Sequence, residues 1–379
     1  MPPRVPFTQT FLSGKELEYV SQVVEQGMLA SDGPFSLKCA DWLQQYSGAA
    51  GVLMTSSCTA ALEMAAMLCE LGPGDEVIMP SFTFVSTASA VVRTGAQPVF
   101  VDIDPQTLNI DPASVAARLS SQTRAIIPVH YAGVGCPMEA INELAGQHGL
   151  VVIEDAAQAV GASQAGRPLG SYGQLAAFSF HHTKNITCGE GGALCVNDPG
   201  MLERARILRD KGTNRAAFLA GQVDKYSWVD EGSSYLPSEL ASAFLLAQLE
   251  AVDQVNEARQ QAYEFYQQQL EELEQQGHLV RPHLPADCQT NYHLYHLLVA
   301  DQPTRDRLLA DLNEKGIHAV FHYVPLHLSP MGQRLAPETP SLPVTESSSE
   351  RLLRLPLFAG ITREQQQQVI AGIRGFFEG

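Results

Sequence analysis

Three short segments carry residue types that one kind of chemistry needs together. Lys184 lies in HHTKN, just ahead of the glycine-rich Gly189-Glu190-Gly191-Gly192. Asp155 follows Glu154 at the end of the apolar run Val151–Ile153, and Thr55-Ser56-Ser57-Cys58-Thr59 leads from Val52–Met54 into small and apolar residues. Only lysine supplies the amine for a Schiff base, and burial among cations lowers its pKa enough to make it nucleophilic. A carboxylate facing a pyridine nitrogen keeps that nitrogen protonated and makes the ring an electron sink. Hydroxyls and backbone N–H groups at a helix start suit a phosphate dianion, and glycines let backbone approach a ligand closely. Each segment alone has a duller reading, as an exposed loop lysine, a turn aspartate or an ordinary helix N-cap. Together, in the order phosphate loop, acid, lysine, they fit a site for pyridoxal 5′-phosphate (PLP).

These residues need a scaffold that brings three strand ends to one edge. From Gly51 to about Val196 the sequence repeats a short apolar run, a turn and a helical pattern. The runs are Val52–Thr55, Val77–Pro80, Pro98–Val101, Ala125–His130, Val151–Ile153, Ala177–Phe180 and Ala193–Val196. Continuous Val, Ile and Phe content describes strands covered on both faces. Helical patterns over Thr59–Leu71, Thr83–Thr94, Pro112–Ser120 and Pro137–His148 alternate with them, which predicts an α/β fold with a mainly parallel, doubly wound sheet. In such sheets ligands bind at the carboxyl ends of the strands.

After Tyr235 the pattern changes to a long helix over Pro237–Gln275 and strand-like Tyr292–Val299. A helix near Thr304–Gly316, a strand over Ile317–Tyr323, a loop at Pro337–Thr345 and a closing helix around Arg363–Phe377 follow. This divides the 379 residues into a large α/β domain, 26–245, and a smaller C-terminal α+β domain, 246–379, with residues 1–25 expected to pack on the latter.

The composition narrows the partners. A net charge of -17 repels phosphate backbones and anionic lipid, so neither nucleic acid nor a membrane surface is expected. The N-terminal MPPRVPFTQTFLSGKELE lacks the pattern of a secretory signal, and no apolar run is long enough to span a bilayer. Seven scattered cysteines without a CxxC spacing argue against a disulfide framework or a metal site and for a cytoplasmic setting.

The segments SSCTAALEMAA, PSFTFVSTASA, VIEDAAQA and FSFHHTKNITCGEGG resemble the DegT/DnrJ/StrS sugar aminotransferases, which belong to the fold-type I, aspartate-aminotransferase-like PLP enzymes. VFHYVPLH and SERLLRLPLF extend the resemblance over nearly the whole chain. It implies that Lys184 is the Schiff-base lysine and proton shuttle, and that Asp155 is the pyridinium partner. It further implies that Gln158 bonds the ring's phenolic oxygen, Phe84 stacks on the ring face, and Thr59, Ala60 and Ser179 cradle the phosphate with Ser57 nearby. Most of the family reaches across a homodimer with Gly-x-Asn-x-Arg; here Gly232-Ser233-Ser234-Tyr235-Leu236 stands there, so Ser234 is the expected contact to the partner's cofactor. Family members with histidine in place of the lysine are dehydratases, and Lys184 therefore implies transamination. KGTNR, GQVDKYSW, GSSYL and AVFHYVPLH are similar to one subgroup, which uses glutamate to aminate TDP-4-oxo-6-deoxyglucose at C4. The substrates implied are that nucleotide sugar and glutamate, with Lys211 and Arg215 at the diphosphate and Tyr323 and His327 at the sugar.

Overall fold

All seven apolar runs become strands of a single sheet in the computed structural model, which describes residues 4–378. The strands are β1 (Gly51–Thr55), β2 (Glu76–Pro80), β3 (Gln97–Val101), β4 (Thr123–Ile126), β5 (Val151–Asp155), β6 (Leu175–Ser179) and β7 (Gly192–Val196). Their spatial order is β1-β7-β6-β5-β4-β2-β3. Neighbours from β6 through β5, β4 and β2 to β3 run parallel, whereas β7 is antiparallel to both β1 and β6. The expected strand over Ala125–His130 is shorter as a ladder, although Val129 still bridges to Asp155.

The runs are apolar throughout because helices cover both faces. Val52 and Met54 of β1 face the cluster containing Phe35, Cys39 and Leu43, on α2 (Pro34–Ser47). Leu53 between them faces Ala61, Leu62 and Ala65, on α3 (Cys58–Leu68). Strand alternation thus assigns successive residues to opposite cores. The other helices of this layer include α4 (Val85–Val92), α5 (Pro112–Arg118), α6 (Met138–His148) and α7 (Leu202–Arg209). The same alternation separates the two carboxylates of β5. Glu154 turns inward to accept the N–H groups of Gly170, Tyr172 and Gly173 at 2.9, 2.6 and 2.7 Å and to pair with His130 at 2.8 Å. Asp155 turns the other way, to the sheet's carboxyl edge.

The long helical pattern after Tyr235 is broken at Glu250–Ala251 into α8 (Glu239–Leu249) and α9 (Val252–Gln269), with a further turn at Glu271–Gln275. The C-terminal layer is an antiparallel sheet, β8 (Leu279–Val280), β9 (Tyr295–Val299), β10 (Val320–Phe321) and β11 (Leu352–Leu355), in the order β8-β9-β11-β10. It packs with α9, α10 (Gln302–Glu314) and α11 (Arg363–Glu378) around Tyr266, Tyr295, Leu297, Leu312 and Ile373. Only Val320–Phe321 of the expected Ile317–Tyr323 strand pairs in this sheet, and Pro343–Arg351, read in part as loop, is helical. Pro343 at its first turn fixes φ for a helix start. The N-terminal stretch is shared out. Val5 bridges to Ile317 in the C-terminal layer, whereas α1 (Glu16–Gln26) lies along α8 and places Val23 in the core beneath the large sheet.

Candidate active site

The strand register brings the three chemical segments together. Thr55 at the end of β1 and Ser179 at the end of β6 both lie opposite Gly192 at the start of β7, and Asp155 ends the adjacent β5. Gly192 has a steric reason: a Cβ there would stand 2.3 Å from the Ser57 carbonyl carbon and 2.4 Å from Cys58 N. The strand passes against the start of α3 at a distance only glycine allows.

Above this edge lies a cavity of about 700 Å³. Its wall includes Ser57, Thr59, Phe84, Asp155, Gln158, Ser179, Lys184 and Tyr323, eight of the residues singled out from sequence. Burial holds the Lys184 ammonium below the usual lysine range, against the opposing pull of Cys58 and Asp155. Among the described residues it has no ion-pair partner. Burial pushes the Asp155 carboxyl up, while the Thr87 hydroxyl at 2.8 Å and the Ala157 N–H at 3.2 Å donate to it and pull it back. Gln158 is held from both sides: its Oε1 accepts the Ala132 N–H at 2.8 Å and its Nε2 donates to the Tyr323 hydroxyl at 3.0 Å. Phe84, at the entrance to α4, leaves its ring 58% exposed, an open aromatic face on the cavity wall.

At the start of α3, Ser57 is the N-cap, its Oγ accepting the Ala60 N–H at 3.1 Å, and its carbonyl accepts the Ala61 N–H. Ala60 is therefore not at the wall: its N–H is already taken and its methyl is buried. The first-turn N–H groups of Cys58 and Thr59 are the ones left for an anion. The Thr59 hydroxyl meets Ser86 at 2.7 Å, adding a second serine at this spot that sequence reading passed over.

Besides Ala60, four expected residues are not brought to this cavity. Lys211 and Arg215 both turn to Asp210, at 2.8 and 3.5 Å, and Ser234 bridges to Asp210 in the same segment. His327 is corrected more firmly. Its Nδ1 is bonded to Ser81 at 2.7 Å and its Nε2 to Glu346 at 3.2 Å, so a buried hydrogen-bond network occupies both nitrogens. Conversely, Arg259, His293, His322 and Arg354 line the cavity unannounced. Burial and neighbouring cations drive both histidines far below their ordinary range, so they are neutral. The available signal was an arginine interrupting an apolar strand, as in LLRLP.

The residues present fit PLP. A half-buried unpaired amine, a buried carboxylate and a capped helix start with free N–H groups share one cavity, and an exposed aromatic face lines it. No metal-binding cluster occurs among the described residues, and none of the described helices is long and apolar enough to cross a membrane. Comparison with known proteins agrees with this geometry. The chain is 36% identical to the GDP-perosamine synthase of Caulobacter vibrioides over 98% of each protein. It is 40% identical to a pleiotropic regulatory protein of Geobacillus stearothermophilus, over 84% of this chain and 82% of the relative. DesV of S. venezuelae has the same fold, with a TM-score of 0.90 and 33% identity over the full length of both chains. The description of the DegT/DnrJ/EryC1/StrS aminotransferase family matches residues 11–374, and the chain belongs to that family of PLP-dependent sugar aminotransferases.

Proposed function

We propose that the protein transfers the amino group of glutamate to C4 of a nucleotide-linked 4-keto-6-deoxy sugar, TDP-4-oxo-6-deoxyglucose. The products are 2-oxoglutarate and TDP-4-amino-4,6-dideoxygalactose. The observation that carries the reading is the half-buried, unpaired Lys184 amine in one cavity with the buried Asp155 carboxylate.

When bound, PLP supplies an electrophilic carbon and a ring that absorbs electrons. The chain's own residues do the rest. Lys184 would hold the group, and its low proton affinity leaves a neutral amine able to take the proton from glutamate Cα. In the second half of the reaction the same Nζ returns a proton to sugar C4. Asp155 would hold the ring nitrogen protonated, Gln158 would orient the ring through its phenolic oxygen, and the Phe84 face would cover it. Ser57, Thr59, Ser179 and the first N–H groups of α3 would receive the phosphate. Tyr323, held by Gln158, lines the same cavity and would meet the sugar there.

Ser234 acts, in this reading, on a partner subunit's cofactor, because it does not face the cavity of its own chain; Lys211 and Arg215 are already paired with Asp210. A homodimer is supported by exposed apolar side chains that a monomer leaves in water: Leu17 at 83%, Trp228 at 78% and Leu219 at 70% exposure.

Purified protein incubated with glutamate and TDP-4-oxo-6-deoxyglucose tests the proposal, with the amino sugar identified by NMR. A 4-amino-6-deoxy product of galacto configuration is expected. Inertness toward this substrate, with turnover of a GDP-linked, UDP-linked or 3-keto sugar in a parallel panel, would transfer the assignment to that substrate. The GDP-perosamine synthase relative motivates the GDP arm.

A further inference from the structure

Arg259 and His293 line the cavity, and the proposed reaction gives neither a task. Both belong to one construction, the loop Thr290–His293 that leads into β9. Arg259 of α9 donates to the Tyr292 carbonyl at 2.9 Å and to the His293 carbonyl, so its guanidinium is spent on holding this loop. The buried Asn291 amide donates to the Gln158 and Val160 carbonyls at 2.8 and 2.9 Å. Thr290 Oγ1 accepts the Tyr292 N–H at 3.2 Å and donates to the Ala132 carbonyl at 3.3 Å. Between these anchors Tyr292 has φ +53°, a left-handed conformation that a bulky residue rarely adopts. Such strain persists where the surrounding contacts over-determine it, and here they fix the loop against the turn that carries Gln158.

The same loop reaches Lys184 through the next residue. Asn185 is buried, and its Nδ2 donates to the Asn291 carbonyl at 2.7 Å. That leaves its Oδ1 to accept, and the atom facing it at 2.9 Å is His293 Nδ1. A ring nitrogen facing an acceptor must carry the proton. Burial and the neighbouring cations Lys184, Arg259 and Arg354 hold His293 well below its ordinary range, so the ring is neutral and has one proton to place. Asn185 therefore sets the tautomer, with the proton on Nδ1. On its other side the Lys184 N–H closes a turn onto the His181 carbonyl at 2.9 Å. The root of the lysine is thus gripped from the C-terminal layer by the loop that also grips Gln158.

We infer that His293 is a positioning residue for the cofactor lysine: acting through Asn185, it sets where the Lys184 side chain starts relative to Gln158. The inference rests on the assignment of Lys184 to PLP. Covalent capture adds Nζ to the PLP aldehyde carbon and expels its oxygen as water, leaving a carbon–nitrogen double bond. Lysine reaches that carbon on a flexible four-carbon stem, so a fixed root narrows the space the amine explores. A misplacement of about 1 Å is enough to slow such a step by about 100-fold.

Two probes separate positioning of the amine from upkeep of the cavity. PLP is mixed with cofactor-free protein, and its covalent capture is followed by absorbance and trapped with borohydride on Lys184. Pyridoxamine 5′-phosphate, which carries the same ring and phosphate but no aldehyde, is titrated separately. His293→Leu removes the Nδ1 donor and should slow capture of PLP by about 10- to 100-fold, leaving the affinity for pyridoxamine 5′-phosphate unchanged. His293→Asn returns an N–H donor near the place of Nδ1 and should recover most of the rate. Capture at the wild-type rate in His293→Leu overturns the inference. So does an equal loss for both probes, which makes His293 a part of the cavity wall, and so does an asparagine variant as slow as the leucine one. Should His293→Leu not fold, Asn185→Ser decides, since the shorter side chain reaches neither His293 nor the Asn291 carbonyl: slow capture with intact pyridoxamine 5′-phosphate binding supports the grip on Lys184, and wild-type capture overturns it. Failure of the wild type to capture PLP on Lys184 at all counts against the cofactor assignment instead.

Discussion

Replacing Thr87 by valine tests whether Asp155 works as a carboxylate. The Thr87 hydroxyl donates to Asp155 Oδ2 at 2.8 Å, and the side chain is fully buried, so no water takes its place. Valine keeps the shape and removes the donor. Burial already raises the Asp155 carboxyl, and the hydroxyl works against that rise by favouring the charged form. A hydrogen bond to a charged group contributes about 1.5–3 kcal/mol. At 1.36 kcal/mol per pKa unit, its loss raises the carboxyl by about 1–2 further units. Activity falls as pH drops through this pKa, because a protonated Asp155 no longer holds the ring nitrogen's proton. The acid limb of kcat/KM for glutamate should therefore move toward neutral pH by about 1–2 units in Thr87→Val. Thr87→Ser retains the donor and should leave the limb in place. Thr83 also loses a partner, at 2.9 Å, which costs about 1 kcal/mol of stability and is read separately as a lower Tm. A pH profile for Thr87→Val that superimposes on the wild type refutes the role given to this carboxylate.

Two further substitutions address the lysine and the glycine. Lys184→Met should abolish transamination and raise the Tm of the cofactor-free protein at neutral pH. Because burial depresses the Lys184 pKa, the native state binds fewer protons than the unfolded chain. The cost of the buried charge is present below the depressed pKa and shrinks as pH rises toward the ordinary lysine value. The variant's Tm advantage should accordingly narrow in alkali, and an advantage constant with pH contradicts a charge-based origin. Gly192→Ala forces a Cβ to 2.3 Å from the Ser57 carbonyl carbon, so β7 and the start of α3 must separate. Overpacking of this kind costs about 1–3 kcal/mol. Calorimetry should show a lower Tm, and PLP titration a weaker affinity; wild-type values for both are incompatible with the close approach described.

The parts of this molecule that were legible in its sequence are those governed by short-range rules. Seven apolar runs read as doubly covered strands because covering both faces removes polar alternation, and the structure places Val52 and Met54 in one core and Leu53 in the other. Asp155, Lys184 and the Ser57 cap were legible for a related reason: each lies at or shortly beyond the end of a strand, and the sheet sends those strand ends to one edge. Strand direction was not written in the same way. β7 is as apolar as its neighbours yet runs antiparallel to both, and only that reversal puts Gly192 beside Ser57. The break between α8 and α9 is equally local in origin and equally silent, with no proline or glycine to mark it.

His327 was misplaced because its partners lie far along the chain. His327 looks available in VPLH, but Ser81, 246 positions away, and Glu346 take both of its nitrogens. Arg354 presents the inverse case. Next to SER and LLRL it looks like one more charge near a helix end, yet β9 and β10 close around it and no acid follows it in. A half-buried cation is conspicuous only when its surroundings are known, since the informative quantity is the missing counter-charge rather than the arginine. The same logic separates Lys184 from Lys211. Lys211 meets Asp210 at 2.8 Å and is already neutralised, whereas Lys184 and Arg354 remain without ion-pair partners in one cavity.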